Sequence, residues 1–291
     1  MQNRTYHTFG KCIVILILSL ILGFAVTILI LASLGKLVDG KALLNISITI
    51  QNLLIFIIPT IITASLIVTN PTKFLNLKIA PKLGIVITAI IIMVAATPAL
   101  NYIIALNESI KLPDSLNWLE EWMRNNEDSA KAVTDQLLHN NNIFSLILTI
   151  LTVGVLTGAG EELFFRGALQ GIFLSRKGAN IHIAIWLTAF IFSAIHFQFY
   201  GFVPRLLLGA YFGYLVYWTG SLWVPIIIHA LNNSSVVITE YMLDKNIITT
   251  NINQIGVPVN GIPWLAIGST LVTILLLIIA RQYIFNRIHR Y

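Results

Sequence analysis

Two adjacent glutamates stand in one of the most apolar stretches of the sequence. Glu161 and Glu162 follow a run from 143 to 160 that carries no charge, and Arg166 comes four positions after Glu162. Ionisable side chains at membrane depth are costly and therefore mark a functional site by default. The glutamate pair thus indicates a chemistry that needs a buried carboxylate.

Helical geometry predicts different environments for the two carboxylates. Glu162 and Arg166 are one turn apart on the same helix face, which predicts an ion pair that neutralises both. Glu161 is rotated by about 100° from Glu162 and has no such partner on its own helix. A carboxylate without a partner suits a general acid or base. The alternative is a structural triad in which Glu161 joins the ion pair.

Further polar side chains interrupt later apolar segments. His196 lies four residues after Phe192, and His229 is followed one turn later by Asn232 and Asn233. Two imidazoles, one carboxylate and an amide could activate a water molecule and hold an oxyanion. Two histidines and a glutamate are also a catalytic zinc set, although the HExxH pattern of soluble zinc proteases is absent.

The composition places these residues in a membrane. Of 291 residues, 57% are hydrophobic and 10% are charged, whereas a soluble domain has about 25% charged residues. A helix that crosses a bilayer needs about 20 apolar residues. The sequence therefore predicts an all-α polytopic transmembrane helical bundle of about eight helices. The predicted spans are 12–34, 46–68, 83–106, 143–173, 181–199, 202–219, 222–243 and 263–285.

The charge distribution predicts an orientation. The net charge is +6, but the basic residues cluster at predicted helix ends, which argues against nucleic-acid binding. By the positive-inside rule, the lysine-rich segment 73–82 and both chain ends are cytoplasmic, as expected for a multi-pass protein of the cell (inner) membrane. The acidic segment 107–142 then lies on the other side. The basic residues that run against this pattern are Lys36, Lys41 and Arg205.

The acidic segment itself is predicted to contain an amphipathic helix. Leu116, Leu119, Trp122 and Met123 recur at helical spacing with charges between them. Such a helix could lie on the membrane surface. It could equally pack over the loop ends of the bundle.

Two other features concern packing and depth. Gly209 and Gly213 form a GxxxG pair, which is typical of close helix packing. Arg205 either snorkels to the interface or contacts substrate.

The depths of the site residues do not agree with the predicted spans. His229 lies nearer the cytoplasmic end of its span than Glu161 does of its own. We therefore expect the linker 219–223 to be sunk in a water-filled cavern that is open to the cytoplasm.

Three motifs occur in order in three separate spans, and together they resemble the CPBP intramembrane proteases, also called the Abi or CAAX-protease family. The family pattern is EExxxR, then FxxxH, then HxxxN, and the resemblance covers roughly residues 143–240. The matching segments are Glu161-Glu162-Leu-Phe-Phe-Arg166, Phe192-Ser-Ala-Ile-His196 and His229-Ala-Leu-Asn-Asn233.

The resemblance implies an endopeptidase that cleaves peptide bonds at or within the membrane, near the C-terminus of hydrophobic or lipidated peptides. Eukaryotic relatives remove the last three residues of prenylated CAAX proteins, and bacterial relatives are linked to bacteriocin maturation and self-immunity. By the resemblance, Glu161 activates the hydrolytic water with His196, while His229 and Asn233 stabilise the oxyanion. Expected partners are the peptide substrate and membrane lipids, without nucleic acid.

The remaining motif positions are expected to support the site. Glu162 and Arg166 would brace the helix, and Phe192 is the aromatic residue of its motif. Asn232 lies beside the motif position and could replace its neighbour Asn233.

The family name also implies a metalloprotease. In that mechanism Glu161, His196 and His229 would hold Zn²⁺. The same residues could activate water without a metal, and we favour this metal-free, glutamate-assisted route.

The sequence divides accordingly into a catalytic core and its surroundings. Residues 1–106 form three N-terminal transmembrane helices, and 107–142 form the acidic extracytoplasmic loop. Residues 143–243 form the catalytic core of four transmembrane helices, and 244–291 form an outer loop and a C-terminal helix.

Two readings from other functional classes stay open. A non-enzymatic membrane scaffold or a bacteriocin self-immunity protein would use the same fold without catalysis. An ion-coupled transporter would use the same buried carboxylate, but the sequence shows no inverted repeat of the kind transporters carry.

Overall fold

The structure is a computed structural model and describes residues 8–35, 40–140, 142–249 and 252–284. The regular elements in these ranges are helices, so the predicted all-α bundle is confirmed. The chain ends, for which the sequence predicts a cytoplasmic location, lie outside the described residues. Four basic residues used in the orientation prediction also lie outside the described residues: Arg4, Lys36, Arg287 and Arg290.

The helices follow the predicted spans, with one more helix in the acidic segment. Of the described helices, α1, α2, α3, α5 and α9 are long and apolar enough to cross a membrane. Helix α6 is apolar but shorter, and α7 and α8 carry more polar residues. The bounds are Phe9–Leu34 (α1), Gly40–Ile67 (α2), Leu83–Glu108 (α3), Asn117–Leu138 (α4), Ile143–Ser175 (α5), Ile181–Ala194 (α6), Phe202–Thr219 (α7), Trp223–Asp244 (α8) and Trp264–Gln282 (α9).

The fifth predicted span, 181–199, is too long. Helix α6 ends at Ala194, and the chain turns at Phe197, which has a positive φ of 52°. A left-handed residue cannot continue an α-helix, so the backbone reverses towards α7 here. His196 therefore lies in a turn rather than on a helix face.

Helix α5 carries both glutamates between two stretches of π-helix. The π-helical stretches are Ile150–Leu156 and Leu163–Leu169, and the α-helical stretch between them is Thr157–Glu162. Insertions of π-helix are rare and frequently lie at functional sites. The widened turn begins directly after Glu162 and runs through Arg166.

Helices α5 and α8 approach closely because α5 has glycines where they cross. A Cβ atom on Gly158 would lie 2.9 Å from the backbone nitrogen of Ala230, and one on Gly154 would overlap Ser234 Oγ. Small residues four positions apart let helix backbones meet in a membrane. This crossing places His229, the residue before Ala230, against the glutamate region of α5.

The linker between α7 and α8 is buried, as its predicted depth requires. Ser221 and Leu222 are 1% and 0% exposed. Carbonyl oxygens in the segment 75–82 accept hydrogen bonds from Ser221 Oγ, Leu222 N and Trp223 Nε1 at 2.6, 2.9 and 2.9 Å. Irregular backbone at membrane depth needs such partners.

The structure contradicts the water-filled cavern that the sequence predicts around this linker. The segment 75–82 covers the linker, and the cavity that both line holds about 20 Å³. That volume admits roughly one water molecule. The linker is therefore sunk in protein rather than in bulk water.

Helix α4 packs over a loop end of the bundle, which is one of its two predicted placements. The rings of Trp122 and Phe199 lie 5.1 Å apart, and the Arg124 guanidinium lies 5.1 Å from the ring centroid of Tyr200. Both partners belong to the turn between α6 and α7. The acidic helix therefore covers the end of the bundle at which His196 is found.

Replacing Gly158 by alanine is expected to lower the thermal unfolding midpoint of the protein in detergent. The new methyl group would meet backbone atoms of α8, which cannot rotate away, and overpacking of this kind costs about 1–3 kcal/mol. Gly268→Ala is the matched control, because Gly268 is also helical and a Cβ there meets nothing within 4 Å. An equal loss of stability in both variants would contradict the close crossing.

The contact between Glu120 and its neighbours predicts a pH dependence of α4. Hydrogen bonds from Arg124 and from the backbone nitrogen of Leu112 hold the pKa of Glu120 below its ordinary value of 4.5. Because the pKa is depressed in the folded state, this stabilisation is present at neutral pH and is lost as the pH falls below 4.5. We expect amide exchange of α4, corrected for its intrinsic pH dependence, to increase there. Glu120→Gln should remove this step and Glu121→Gln should keep it.

Candidate active site

A buried ion pair on α5 organises the centre of the bundle. Arg166 Nη1 lies 2.7 Å from Glu162 Oε1, and both side chains are fully buried, so the predicted pair is confirmed. Arg166 Nη2 also donates to the carbonyl oxygen of Gly209 on α7 at 2.9 Å. The guanidinium lies 4.5 Å from the ring centroid of Phe192 on α6, within the range of a cation–π contact. One cation therefore joins three helices.

The same carboxylate oxygen also holds a histidine of α8. His229 Nδ1 lies 2.8 Å from Glu162 Oε1. Because an ionised carboxylate can only accept, Nδ1 carries the proton and donates it. This contact fixes the orientation of the imidazole, in the way that carboxylates orient catalytic histidines. Glu162 thus does more than brace α5.

The other ring nitrogen of His229 faces the second glutamate, Glu161. His229 Nε2 lies 3.7 Å from Glu161 Oε2, and Glu161 is 8% exposed. Within the described part of the chain the Glu161 carboxylate accepts no hydrogen bond, and the Arg166 hydrogen bonds go to Glu162 and Gly209 instead. Glu161 therefore takes its nearest charged partner from another helix, and the alternative of a structural triad with Glu162 and Arg166 stays a prediction.

These four groups form a continuous chain of charge. It runs from Arg166 through Glu162 and His229 to Glu161. Two carboxylates against one guanidinium leave one negative charge, which a single proton on His229 or Glu161 balances. A carboxylate and an imidazole that face each other in a buried site can accept and return a proton during a reaction.

Phe192 brings the two histidines to a common aromatic centre. Its ring centroid lies 5.1 Å from the His196 ring and 6.1 Å from the His229 ring, both edge-on. Edge-to-face packing at this distance stabilises both rings in defined positions. The supporting role predicted for Phe192 is consistent with this geometry.

His196 has a defined tautomer. Its Nδ1 lies 2.7 Å from the carbonyl oxygen of Phe192, and a carbonyl can only accept, so Nδ1 carries the proton. In the neutral ring, Nε2 then keeps a lone pair. His196 can accordingly accept a hydrogen bond from water or substrate.

The two asparagines lie one turn beyond His229 on α8. Asn233 Nδ2 donates to the carbonyl oxygen of Val153 on α5 at 3.4 Å, and Asn232 Nδ2 donates to Asn233 Oδ1 at the same distance. Both bonds are long, so the amides are held weakly. In the described contacts neither asparagine touches Glu161, and their predicted part in an oxyanion site stays a prediction.

The predicted zinc ligands do not form a metal site in this arrangement. Across the described ranges, no three His, Cys, Asp or Glu side chains converge closely enough to hold a metal ion. Of the set Glu161, His196 and His229, Glu161 and His229 lie 3.7 Å apart, and His196 does not converge with them. These donors therefore do not fit zinc as placed.

Two glycines on α7 serve the site in a way that sequence reasoning missed. The predicted close packing of Gly209 and Gly213 is confirmed, because a Cβ on either would lie within 3.1 Å of a side-chain atom. Arg166 donates to the Gly209 carbonyl at 2.9 Å, and Gln170 donates to the Gly213 carbonyl at 3.4 Å. Arg166 and Gln170 are four residues apart, as are Gly209 and Gly213. This common spacing was the signal from which the two contacts could have been predicted.

An apolar cavity opens beside the turn that carries His196. It has a volume of about 620 Å³ and lies between α4, α6 and α7. Ligand pockets of drug-sized molecules have about 300–1,000 Å³. Side chains that line it include Trp122, Phe190, Phe197, Phe199 and Val203.

Replacing Arg166 by methionine is expected to destabilise the protein by about 3–5 kcal/mol, because Glu162 would remain as a buried charge without its cation. Adding Glu162→Gln should recover part of this loss, since it removes the unpaired charge. Thermal or denaturant unfolding of the two variants and the wild type in detergent measures the difference. If Arg166→Met and the double variant were equally stable, the unpaired charge of Glu162 would not be the cause of the lost stability.

Comparison with known proteins agrees with the motif order. Residues 143–235 match the family model described as type II CAAX prenyl endopeptidase Rce1-like. Uncharacterized protein YpbD of Bacillus subtilis (strain 168) is 32% identical over 96 residues, which are 31% of this chain and 46% of the relative. An uncharacterized 24.3 kDa protein of Escherichia coli is 27% identical over 103 residues, 34% of this chain and 48% of the relative.

The chain thus spans about half the length of the curated relatives it matches. No solved structure matches it. The matched segment contains every residue that the sequence predicts for the site. The resemblance to the CPBP or CAAX-protease family is therefore confirmed for residues 143–235, which match the Rce1-like type II CAAX prenyl endopeptidase domain.

Proposed function

We propose that the protein is an intramembrane endopeptidase that hydrolyses peptide bonds near the C-terminus of membrane-associated, hydrophobic or lipidated peptides. The observation that carries this proposal is the buried chain from Arg166 through Glu162 and His229 to Glu161. It places one carboxylate without a hydrogen bond beside an imidazole of fixed orientation. The family match of residues 143–235 supports the same reaction class.

The spacing of Glu161 and His229 suits a single hydrolytic water. Their facing atoms are 3.7 Å apart, so one water molecule can lie within hydrogen-bond distance of both. As the water oxygen attacks the peptide carbonyl carbon, one of its protons passes to Glu161. The carbonyl oxygen then carries the negative charge of a tetrahedral intermediate. Collapse of the intermediate breaks the C–N bond, and Glu161 returns the proton to the leaving amine.

The other predicted residues act around this step. His196 accepts a hydrogen bond through Nε2 and orients water or substrate. Asn233 Nδ2, with the His229 imidazole when it is protonated, donates to the oxyanion, and Asn232 supports its neighbour. The weak bond of Asn233 to the Val153 carbonyl, at 3.4 Å, leaves the amide free to turn towards substrate.

The apolar cavity beside His196 accommodates the hydrophobic part of the substrate. Its aromatic lining and its position between α4 and the core suit an apolar side chain or an attached lipid. We further propose the cell (inner) membrane as the location, with membrane lipids as neighbours of the substrate. Cytoplasmic chain ends follow from the positive-inside rule.

Replacing Glu161 by glutamine is expected to abolish cleavage, since an amide cannot take the proton of the attacking water. The measurement is proteolysis of a hydrophobic or lipidated reporter peptide by the purified protein in detergent. Glu240→Gln is the matched control, a glutamate near the far end of α8. Because the donor geometry does not fit zinc, we expect the wild-type activity to persist in the presence of a chelator.

The outcomes separate the proposals. Full activity of Glu161→Gln, with folding confirmed by thermal unfolding, would contradict the catalytic role of Glu161. Loss of wild-type cleavage in chelator, restored by zinc, would contradict the metal-free route but leave the endopeptidase standing. No cleavage by any form would favour the non-enzymatic scaffold or immunity reading.

A further inference from the structure

Arg205 on α7 is a partly buried cation that the proposed mechanism does not use. Its Nη2 donates to Oε1 of Gln198 at 2.7 Å. Its Nη1 is buried and has no hydrogen-bond partner in the described part of the chain. A buried donor left without a partner costs the full desolvation of that group, so such an atom calls for a partner that is absent here.

The backbone is shaped to hold the guanidinium in this position. A Cβ atom on Gly201 would lie 2.8 Å from Arg205 Nη2, so the guanidinium packs directly on the turn and a larger residue there would displace it. The backbone nitrogen of Arg205 also bonds to the carbonyl oxygen of Gly201 at 3.2 Å. The arginine therefore folds back over the turn at the start of α7, towards Gln198.

The guanidinium is bound to a side chain that lines the apolar cavity and interacts electrostatically with two of the proposed catalytic groups. Gln198, which it binds, lines the cavity. Arg205 also acts electrostatically on both Glu161 and His196. A substrate whose apolar part fills the cavity would therefore place its adjoining polar end near this cation.

We propose that Arg205 binds the free C-terminal carboxylate of the peptide substrate and thereby sets where the chain is cut. This inference rests on the proposed endopeptidase function. A guanidinium matches a carboxylate with two parallel N–H groups, and Arg205 has a buried Nη1 that such a ligand would satisfy. An extended chain advances about 3.3–3.6 Å per residue. An anchored carboxylate thus selects a peptide bond a fixed number of residues from the C-terminus.

Glu127 on α4 is the other group that could pair with Arg205. It interacts electrostatically with Arg205, but the two form no ion pair, and Oε2 of Glu127 is itself buried without a hydrogen-bond partner. Burial raises the pKa of Glu127, which makes it a poor permanent counterion. If the arginine served only to hold α4, removing either partner would change stability alone.

The test uses binding, so that it does not depend on turnover. The probes are a fluorescein-labelled apolar hexapeptide with a free C-terminal carboxylate and the same peptide as its C-terminal amide. Affinities for the purified Glu161→Ala protein in detergent are measured by fluorescence anisotropy. We expect the carboxylate peptide to bind about tenfold more tightly or better, in line with the strength of hydrogen bonds to charged groups.

The preference is expected to vanish when Arg205→Gln is added. Arg205→Lys should retain part of it, because the charge stays but the bidentate fork is lost. Arg124→Gln is the matched control, an arginine over the same turn that should leave the preference unchanged. Thermal unfolding of each variant checks that the fold is intact, and the lysine variant keeps the test valid if glutamine unfolds the protein.

Equal affinity for the two peptides, no binding of either, or a preference that survives Arg205→Gln would each overturn the inference. A matching loss of stability in Arg205→Gln and Glu127→Gln, with the preference kept, would assign the arginine to α4 packing instead. The proposed endopeptidase function has a separate readout: it fails if the wild-type protein shows no cleavage. Binding preference and cleavage can therefore succeed or fail independently.

Discussion

The Oε1 oxygen of Glu162 accepts from Arg166 and from His229 at once, and the placement of the core helices depends on this shared acceptor. The carboxylate is fully buried, and a buried charge is tolerated only when its hydrogen bonds are supplied by the protein. α5 supplies the carboxylate and the guanidinium, and α8 supplies the imidazole. α7 enters through the Gly209 carbonyl, and α6 through the Phe192 ring over the cation. A shift of α6, α7 or α8 would remove one of the contacts that surround the ion pair of α5.

Close approach between helices is the condition for that network, and glycine provides it. Lipid chains are as apolar as the helix surfaces, so burial of apolar area drives helix association weakly in a membrane. Gly158 lets α8 reach α5, and Gly209 lets the arginine reach α7. The backbone contacts bring polar groups within hydrogen-bond range, and the polar groups then hold the helices together.

The two ends of the core differ, and the difference bears on how a substrate reaches the site. At one end the segment 75–82 covers the buried linker Ser221–Leu222 and leaves room for roughly one water molecule. At the other end, α4 packs over the turn after α6, and an apolar cavity remains beneath it. Space for an apolar ligand, the His196 turn and the unpartnered Arg205 nitrogen all lie at this second end.

The fold class and the helix positions follow from the sequence, because runs of apolar residues long enough for a bilayer leave few alternatives to a helical bundle. The pairing of Glu162 with Arg166 also follows from their spacing, since both lie on one helix. By contrast, the end of α6 before His196 depends on a turn at Phe197, and no strong breaker marks that position in the sequence.

By itself, the sequence determined that one glutamate would be neutralised within its own helix and that the other would need partners from elsewhere. Only the tertiary structure decided that His229 supplies this partner, that Glu162 orients it, and that Arg205 Nη1 has no hydrogen-bond partner within the described residues. The physical reason is that contacts between helices depend on their depth and rotation. Depth and rotation are set by the positions at which glycines allow two backbones to meet. The boundaries of a predicted span do not reveal either quantity.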